Sequence, residues 1–525
     1  MTGTLNVHHP DSNASPYFIS TSIPYVNARP HVGHALEFML TDVYARYWRQ
    51  QGRDVFFLSG SDENSLKNVQ AAEALGISTQ ELVDRNVLTF QQLIGQLDIS
   101  TDDFIRTSVD QRHILGAMKI WSEMVEAGDV YYKTYSGLYC VGCEQFYTND
   151  ELVDGRCPEH GTVPELVEEE NAFFRLSRYA DQLHDVISRD ELLILPRERK
   201  NEVLRFIESG LEDFSISRSV ARARGWGIEV PDNPGQVMYV WVDALANYIT
   251  ALDYATEGPN FLRYWLAAPD RVHVIGKGIL RFHAIYWPAM LLAAGVPLPT
   301  HVVVHGYLTI GGQKMSKSLG NVIDPAEVAD GFGSDPLRYY LLREFSPFAD
   351  GDFTTEKLAG RYRSDLANDL GNLLNRTVSM IGRYRDSMIP MASVGTELED
   401  ELWRVAESAS ARVEQAMRGY NPQEALTAIW EVVTRANGYV EASAPWTLAK
   451  QEREGGSTER LDTVLSTLAM VLGRLAWMLA PFLPATSQKI AVQLGSAGIE
   501  FAPTPGQRVA TPQPIFPRLE DEAIV

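Results

Sequence analysis

Cysteine is scarce: this chain of 525 residues has three. Three thiols cannot form a closed set of disulfides, so they are expected to be reduced or bound to metal in a cytoplasmic protein. Basic residues are in deficit as well, with 46 Lys and Arg against 68 Asp and Glu and a formal net charge of −22. Such a balance argues against indiscriminate binding to polyanions or to an anionic membrane, yet leaves room for a local basic site. Long apolar runs are missing. The most apolar stretch, Leu468 to Leu483, is interrupted by Arg474 and Pro481, whereas a membrane span asks for ~20 uninterrupted apolar residues. A buried helix and no transmembrane segment are expected there. Residues 1–16 are polar, lack the basic start and apolar core of a signal peptide, and read as a flexible tail.

What is present is a globular composition, 45% hydrophobic and 22% charged, long enough for three or four domains at ~150 residues each. Tyr17 to Ile23 is a β-rich run closed by the segment Pro24 to Pro30, because a central strand cannot continue through proline. Apolar residues at helical spacing follow from His31 to a stop at Gly52, and Asp54 to Ser61 reads as a buried strand. Strand, turn, helix and parallel strand make the first half of a doubly wound, Rossmann-type α/β sheet over residues 17–128. Residues 129–228 carry all three cysteines and the run Glu168-Glu169-Glu170, and read as an insertion. Met238 to Val242, Val272 to Gly276 and His301 to His305 are the expected strands of the second half, 229–310, with a helix over Phe282 to Ala294. A glycine-framed loop and linking region, 311–358, leads into helical periodicity across 359–500, broken at Pro390, Asn421-Pro422 and Gly455-Gly456-Ser457. That is an all-α bundle. The proline-rich end, 501–525, is expected to run extended over the surface.

Three patterns carry chemistry. His31-Val32-Gly33-His34 stands where strand gives way to helix. A helix N-terminus offers unpaired N–H groups to phosphate, and two histidines one turn apart can donate to the same phosphate. A glycine between them leaves room for a flat ring such as adenine. Alone, the pattern is also that of two unrelated histidines and a helix-start glycine. The second pattern, Gly311-Gly312-Gln313-Lys314-Met315-Ser316-Lys317-Ser318-Leu319-Gly320, puts two lysines in a mobile loop. They can swing onto a polyphosphate and neutralise a pentacovalent transition state and a departing pyrophosphate. A solvated basic loop is the plain alternative. In the third, Cys140 and Cys143 form one knuckle, Cys157 and His160 another, with thirteen residues between them. A Cys3His set suits tetrahedral, structural Zn2+, one per chain, against the alternative of three spare cysteines beside a surface histidine.

The histidine and lysine patterns match the two signatures of class I aminoacyl-tRNA synthetases, and further segments resemble the methionine-specific branch of that family. These are Ile23-Pro24-Tyr25, Gly60 to Glu63, Tyr239 to Ala244, Gly276-Lys277, Arg281 to Pro288 and Val304 to Tyr307. The resemblance runs from about residue 17 to about residue 490. It implies ATP-dependent activation of L-methionine to methionyl-adenylate, then transfer to the terminal ribose of tRNA(Met), the initiator included. Mg2+ would accompany ATP. His31, Gly33, His34, Lys314 and Lys317 would then serve catalysis, and with Gly276, Lys277, Met315, Ser316 and Ser318 they would bind ATP. The resemblance also puts Ile23, Pro24, Tyr25, Trp241, Ala244, Leu245, Tyr248, His283 and Trp287 around the methionine side chain, with Asp62 on its ammonium. On pattern alone such an aromatic set is core rather than pocket. One departure stands out: many members carry aspartate after the Gly-Lys pair, where this chain has Gly278.

The same resemblance implies a catalytic domain split by a zinc-knuckle connective insertion and followed by an anticodon-binding bundle. It assigns Asn372, Arg376 and Trp446 to the anticodon. Asn372 and Arg376 lie one helical turn apart, and Pro445-Trp446 opens a helix. Bases of single-stranded loops are read by stacking and by hydrogen bonds to their edges; from the residues alone, a helix-start tryptophan and a surface pair fit as well. Arg361, Arg363, Arg383 and Arg385 are expected as a phosphate-facing stripe nearby, and a monomer is the default. The rival readings are another nucleotidyl-transferring enzyme of this fold and a non-catalytic tRNA-binding paralogue. The aromatic set argues against the first, and the intact histidines and lysines argue against the second.

Overall fold

In the computed structural model, which describes residues 14–142, 145–159, 161–315, 321–499 and 503–518, the continuous apolar runs become parallel strands. Six of them form one sheet in the order Asp103–Arg106, Asp54–Ser61, Pro16–Thr21, Asp270–Gly276, His301–His305 and Leu193–Leu195. Each neighbouring pair is parallel. Both faces are covered, which is why Phe18, Ile19, Phe57, Leu58, Val274, Ile275 and Val303 are buried without polar alternation. Chain order reverses between Pro16–Thr21 and Asp270–Gly276, and sheets of this kind hold ligands outside the carboxyl ends of the strands at such a point. Near one of those ends Gly60 has no room for a side chain: a Cβ would meet the Ile105 carbonyl oxygen at 2.5 Å. The sheet belongs to the first of two compact units, formed by the described residues through Pro30, by Gln51–Gly95 and by Ser100–His305. Residues 1–13 of the expected tail lie outside the described residues.

Two expectations for this unit are corrected. Met238 to Val242 is not a strand of the main sheet. Asn233–Met238 pairs antiparallel with Ser217–Ser219 and with Glu229–Val230 in a separate three-stranded sheet, and Val240–Thr250 is a helix. All 11 residues of that helix are buried. A helix buried on every side shows no amphipathic spacing, so its valine-rich start imitates a strand. Leu193–Leu195, inside the expected insertion, instead supplies the sixth strand of the main sheet by pairing with His301–His305. The insertion also builds a four-stranded antiparallel sheet in the order Gln145–Tyr147, Val130–Cys140, Glu165–Phe174 and Phe214–Ser215.

The second unit joins His31–Gln50 and Gln96–Ile99 to the described chain from Gly306 onward. The helix Val32–Gln50 is tied into it by Asp42, which accepts from Arg338 at 2.6 Å with both side chains fully buried. Such a pair persists only when its remaining donors are met; Arg338 also donates to the Phe482 carbonyl at 2.8 Å and the Leu97 carbonyl at 3.3 Å. Gly311 and Gly312, both at positive φ, turn a two-residue hairpin between Leu308–Ile310 and Gln313–Lys314. The first glycines of the lysine loop therefore make a tight turn, the geometry that Gly-Gly favours, and not a slack hinge. The helices Thr355–Arg361, Asn372–Tyr384, Glu397–Arg418, Pro422–Ser443, Pro445–Arg453, Glu459–Leu479 and Pro484–Gln493 follow, with breaks at all three expected places. Glu459–Leu479 is long and apolar enough to cross a membrane, but 78% of its apolar window is buried inside the bundle. Residues 503–518 run without helix or strand, and Val509, Ile515 and Phe516 are buried.

Candidate functional site

The helix Val32–Gln50 opens in a knot of its own side chains. The His31 N–H donates to His34 Nδ1 at 3.1 Å, and the Gly33 N–H donates to His31 Nδ1 at 3.1 Å. With Nδ1 accepting in both rings, each proton is assigned to Nε2. The ring centroids are 3.9 Å apart. Burial holds His31 down to about 4, and burial together with His31 holds His34 well below the usual histidine range. Both are neutral at pH 7. Two neutral N–H donors at a helix N-terminus suit phosphate through hydrogen bonds and the backbone dipole. A Cβ on Gly33 would lie 2.8 Å from His31 Cε1 and 3.3 Å from the Met315 methyl. The two signature patterns, distant in sequence, thus meet within one unit. Asp352 anchors the hairpin by accepting from the Gly312 N–H at 2.8 Å and the Thr309 hydroxyl at 2.7 Å. The Lys314 main chain pairs with Thr309; Ser316, Lys317 and Ser318 lie outside the described residues.

In the first unit the expected methionine residues form one aromatic cluster. Trp241 stacks on Phe282 at 3.7 Å and meets Tyr25 and His283 edge-on at 6.5 and 6.4 Å. His283 Nδ1 lies 2.9 Å from the Ile279 carbonyl, which only accepts, so Nδ1 carries the proton and Nε2 accepts from the Tyr248 hydroxyl at 2.7 Å. Trp287 and Tyr248 are fully buried, and Ala244 and Leu245 are buried on the same helix as Trp241. Asp62, 2% exposed, is placed by its N–H donating to the Pro24 carbonyl at 2.9 Å and by a bridge to Tyr25. Ile23 packs beside Gly60. Gly276 ends its strand, Lys277 begins a short turn, and Gly278 is exposed within it.

Sequence reasoning missed His273 and Phe282. His273 is buried, kept well below the usual range by that burial; it accepts from the Trp287 indole N–H at 3.3 Å and faces the Ser20 hydroxyl at 2.8 Å. Its ring lies 4.0 Å from that of Tyr248. A histidine inside the otherwise apolar stretch from Val272 to Ile275 of the strand Asp270–Gly276 was the available signal. Phe282 has none beyond its neighbour His283.

Residues 17–163 and 160–378 match the family profile described as tRNA synthetases class I (M), and residues 399–510 match the anticodon-binding domain of tRNA ligase. The chain belongs to the class I tRNA synthetases. It is 44% identical over 515 residues to the methionine–tRNA ligase of Caldanaerobacter subterraneus subsp. tengcongensis, covering 96% of this chain and 79% of that one. It is 43% identical over 524 residues to the methionine–tRNA ligase of Rhizobium meliloti, covering 96% and 98% respectively. A solved structure of Mycobacterium tuberculosis methionyl-tRNA synthetase in complex with methionyl-adenylate matches with a TM-score of 0.92 and 41% identity, over 96% of this chain and 100% of that one.

Elsewhere in this synthetase, Cys140 and Cys157 are each 1% exposed and share a small cluster with Tyr147 and Leu152. Cys157 sits in a tight turn: its carbonyl accepts from Gly161 at 2.8 Å and its N–H donates to Thr162 at 2.9 Å. Cys140 ends the strand Val130–Cys140, and two buried thiols in one cluster supply half of the tetrahedral donor set that zinc takes. Cys143 and His160 lie outside the described residues, and among the described residues no group of three metal-binding side chains occurs. In the helical domain Asn372 is exposed one turn before Arg376, while Leu373, Leu374 and Thr377 are buried. Arg376 donates to Glu441 at 2.7 Å and lies 5.9 Å from the ring of Trp446, which is 44% exposed. The expected arginine stripe needs correction. Arg361 is held by Glu344 and Asp365, and Arg385 by Glu452 and Asp462, so those two neutralise carboxylates; Arg363 and Arg383 are exposed.

Proposed function

We propose that this synthetase joins L-methionine to ATP, giving methionyl-adenylate and pyrophosphate, and passes the methionyl group to the 3′-terminal ribose of tRNA(Met), the initiator included. The meeting of Met315 with Gly33, between two neutral histidines, carries this reading, because it ties the lysine loop to a phosphate-binding helix end. A carboxylate oxygen of methionine attacks the α-phosphorus and pyrophosphate leaves. The protein needs no covalent bond of its own, so positioning and charge stabilisation supply the rate. His31 and His34 donate to phosphate oxygens, Gly33 clears the adenine, and Lys314 and Lys317 neutralise the transition state and departing pyrophosphate. Met315, Ser316 and Ser318 complete the loop's hold on ATP, with Gly276 and Lys277 at the nucleotide. Mg2+ arrives with ATP as part of the substrate.

In the first unit Asp62 takes the ammonium, and Ile23, Pro24, Tyr25, Trp241, Ala244, Leu245, Tyr248, His283 and Trp287 surround the thioether. A hydrophobic pocket separates ligands one methylene apart by only ~1–3 kcal/mol. The fixed Tyr248–His283 pair and soft contacts to sulfur supply the rest of the selectivity. Cys140, Cys143, Cys157 and His160 would hold one structural Zn2+ that staples the insertion, and metal analysis giving about one zinc per chain checks it. Asn372, Arg376 and Trp446 would read the anticodon. Functionally, residues 17–128 and 229–310 are the catalytic halves, 129–228 the connective insertion, 311–358 the loop and linker, and 359–500 the anticodon-binding domain. We take the enzyme to be a cytoplasmic monomer.

Methionine-dependent ATP–pyrophosphate exchange tests the reading. Exchange with methionine and not with leucine or isoleucine is expected. Lys317→Ala should slow it by about 10²–10³, the usual loss for a transition-state donor, with little change in methionine affinity. Exchange that depends on another amino acid, or that is unchanged in Lys317→Ala, would overturn it.

A further inference from the structure

The helical domain holds a cavity of about 700 Å³ that none of the roles above uses. Arg343, Arg361 and Arg435 line it together with Trp430; two of the three guanidinium groups are ion-paired, Arg361 to Glu344 and Asp365 and Arg435 to Glu401. The wall's two carboxylates are themselves ion-paired, one of them to a wall arginine. Asp365 accepts from the Tyr339 hydroxyl at 2.7 Å and pairs with Arg361 at 3.0 Å, and Glu431 pairs with Arg412 at 2.6 Å. Arg343 donates through Nη1 to the Thr427 hydroxyl at 3.1 Å and has no carboxylate in ion-pair range among the described residues. Three buried N–H donors on this wall, Arg343 Nε, Arg435 Nε and Trp430 Nε1, meet no acceptor among the described residues. Trp430 is 6% exposed and its ring is held 4.3 Å from Tyr339, so its N–H is not free to turn. All three groups are donors, and two belong to guanidinium, so their complement is an oxyanion.

The position of the cavity narrows the choice. Along Pro422–Ser443, the wall residues Thr427, Glu431, Thr434 and Gly438 follow one another at helical spacing on one stripe. The next residue of that stripe is Glu441, which holds Arg376 beside Trp446. Thr427 to Glu441 spans ~21 Å at ~1.5 Å per residue. One helix face therefore runs from the exposed tryptophan to the arginine cavity.

We propose that this cavity is a phosphate seat, and that the phosphate it takes belongs to the ribose-phosphate backbone of a tRNA whose anticodon meets Trp446. A free phosphate compound is the other source of the same chemistry. The tRNA assignment rests on reading Arg376 and Trp446 as anticodon contacts; the seat itself does not.

The test compares the full chain with Arg343→Gln, Arg343→Lys and Trp446→Ala for binding of a tRNA(Met) transcript across a salt series. Arg343→Gln should weaken binding roughly tenfold, as for one lost charge-assisted hydrogen bond, and lower the slope of log K against log salt by about one. Arg343→Lys should recover most of that slope. Pyrophosphate exchange without tRNA should be equal in wild type and both Arg343 variants, which shows the fold intact. In a second arm, inorganic phosphate and tripolyphosphate are titrated while Tm is followed. If Arg343→Gln binds tRNA normally but loses a Tm rise that tripolyphosphate gives the wild type, the seat stands and the tRNA assignment falls. If neither tRNA nor phosphate responds while Trp446→Ala still weakens tRNA, the seat is overturned and the anticodon reading survives. If Trp446→Ala is silent too, both fall.

Discussion

Trp287 and Trp446 are both proposed to serve recognition, yet the first is wholly buried and the second is 44% exposed. Around Trp287 every neighbour is fixed by another. Its indole N–H donates to His273, His273 faces Ser20, and Tyr248 lies against His273 while bonding His283. Around Trp446, Arg376 lies near the ring and is itself held by Glu441. On the roles proposed for them, the contrast matches the size of what each would recognise. A small apolar side chain offers few atoms, so its site has to be rigid, dry and shaped before it arrives. A base of a single-stranded loop offers a broad π face, and an exposed ring beside a cation suffices to stack it.

Substitutions can break or sharpen that contrast. The largest effect is expected for Trp287→Ala, which opens a cavity in a closed cluster and should cost ~3–5 kcal/mol of stability. Equilibrium denaturation checks it; a loss under ~1 kcal/mol would mean that the cluster is looser than its contacts say. Gly33→Ala comes next. Its Cβ would press on His31 at 2.8 Å, so the ring must shift, and a misplacement of about 1 Å can cost about 10²-fold in rate. Pyrophosphate exchange should fall while thermal stability changes little, and an active variant would remove the close-packing role of this glycine. Trp446→Ala should lower kcat/KM for tRNA charging by about 10–100-fold, the worth of one base stack, and leave stability and pyrophosphate exchange where they were. A variant that unfolds instead would make Trp446 part of the core and erase the contrast.

The smallest effect at neutral pH concerns His31. Its pKa is held at about 4 in the folded protein against 6.5 ordinarily. Between those values the unfolded chain binds a proton that the folded protein refuses, so the stabilising contribution is full above about 6.5 and is lost as pH falls toward 4. His31→Gln should flatten part of that decline and change nothing at pH 7. Denaturation midpoints measured from pH 7 to pH 4 decide it, and an unaltered slope would exclude burial of His31 as its source.

Much of this was legible in residue order. The strands at Tyr17, Asp54, Val272 and His301 were legible, the first as a β-rich run, the second as a buried run and the last two as alternating patterns, although a parallel sheet covered on both faces needs no alternation. The helix breaks at Pro390, Pro422 and Gly455 were equally plain, because proline and glycine act locally. The helix Val240–Thr250 was misread for a complementary reason: burial on every side erases the period by which a helix is recognised. Leu193–Leu195 was passed over because three residues carry no period at all.

Sequence alone settled which chemical groups are available: two histidines around a glycine, two lysines in a glycine-framed loop, and three cysteines with one histidine at knuckle spacing. Those are covalent facts and need no neighbours. It could not settle which arginines are spent. Arg361, Arg385 and Arg435 turn out to neutralise carboxylates, whereas Arg343 lines a cavity with no carboxylate in ion-pair range among the described residues. Nor could it say that His273 would orient Trp287, or that Met315 would come to rest against Gly33. Each of these depends on a partner far away along the chain, and a guanidinium or an imidazole takes its role from the one group that packing brings within about 3 Å of it.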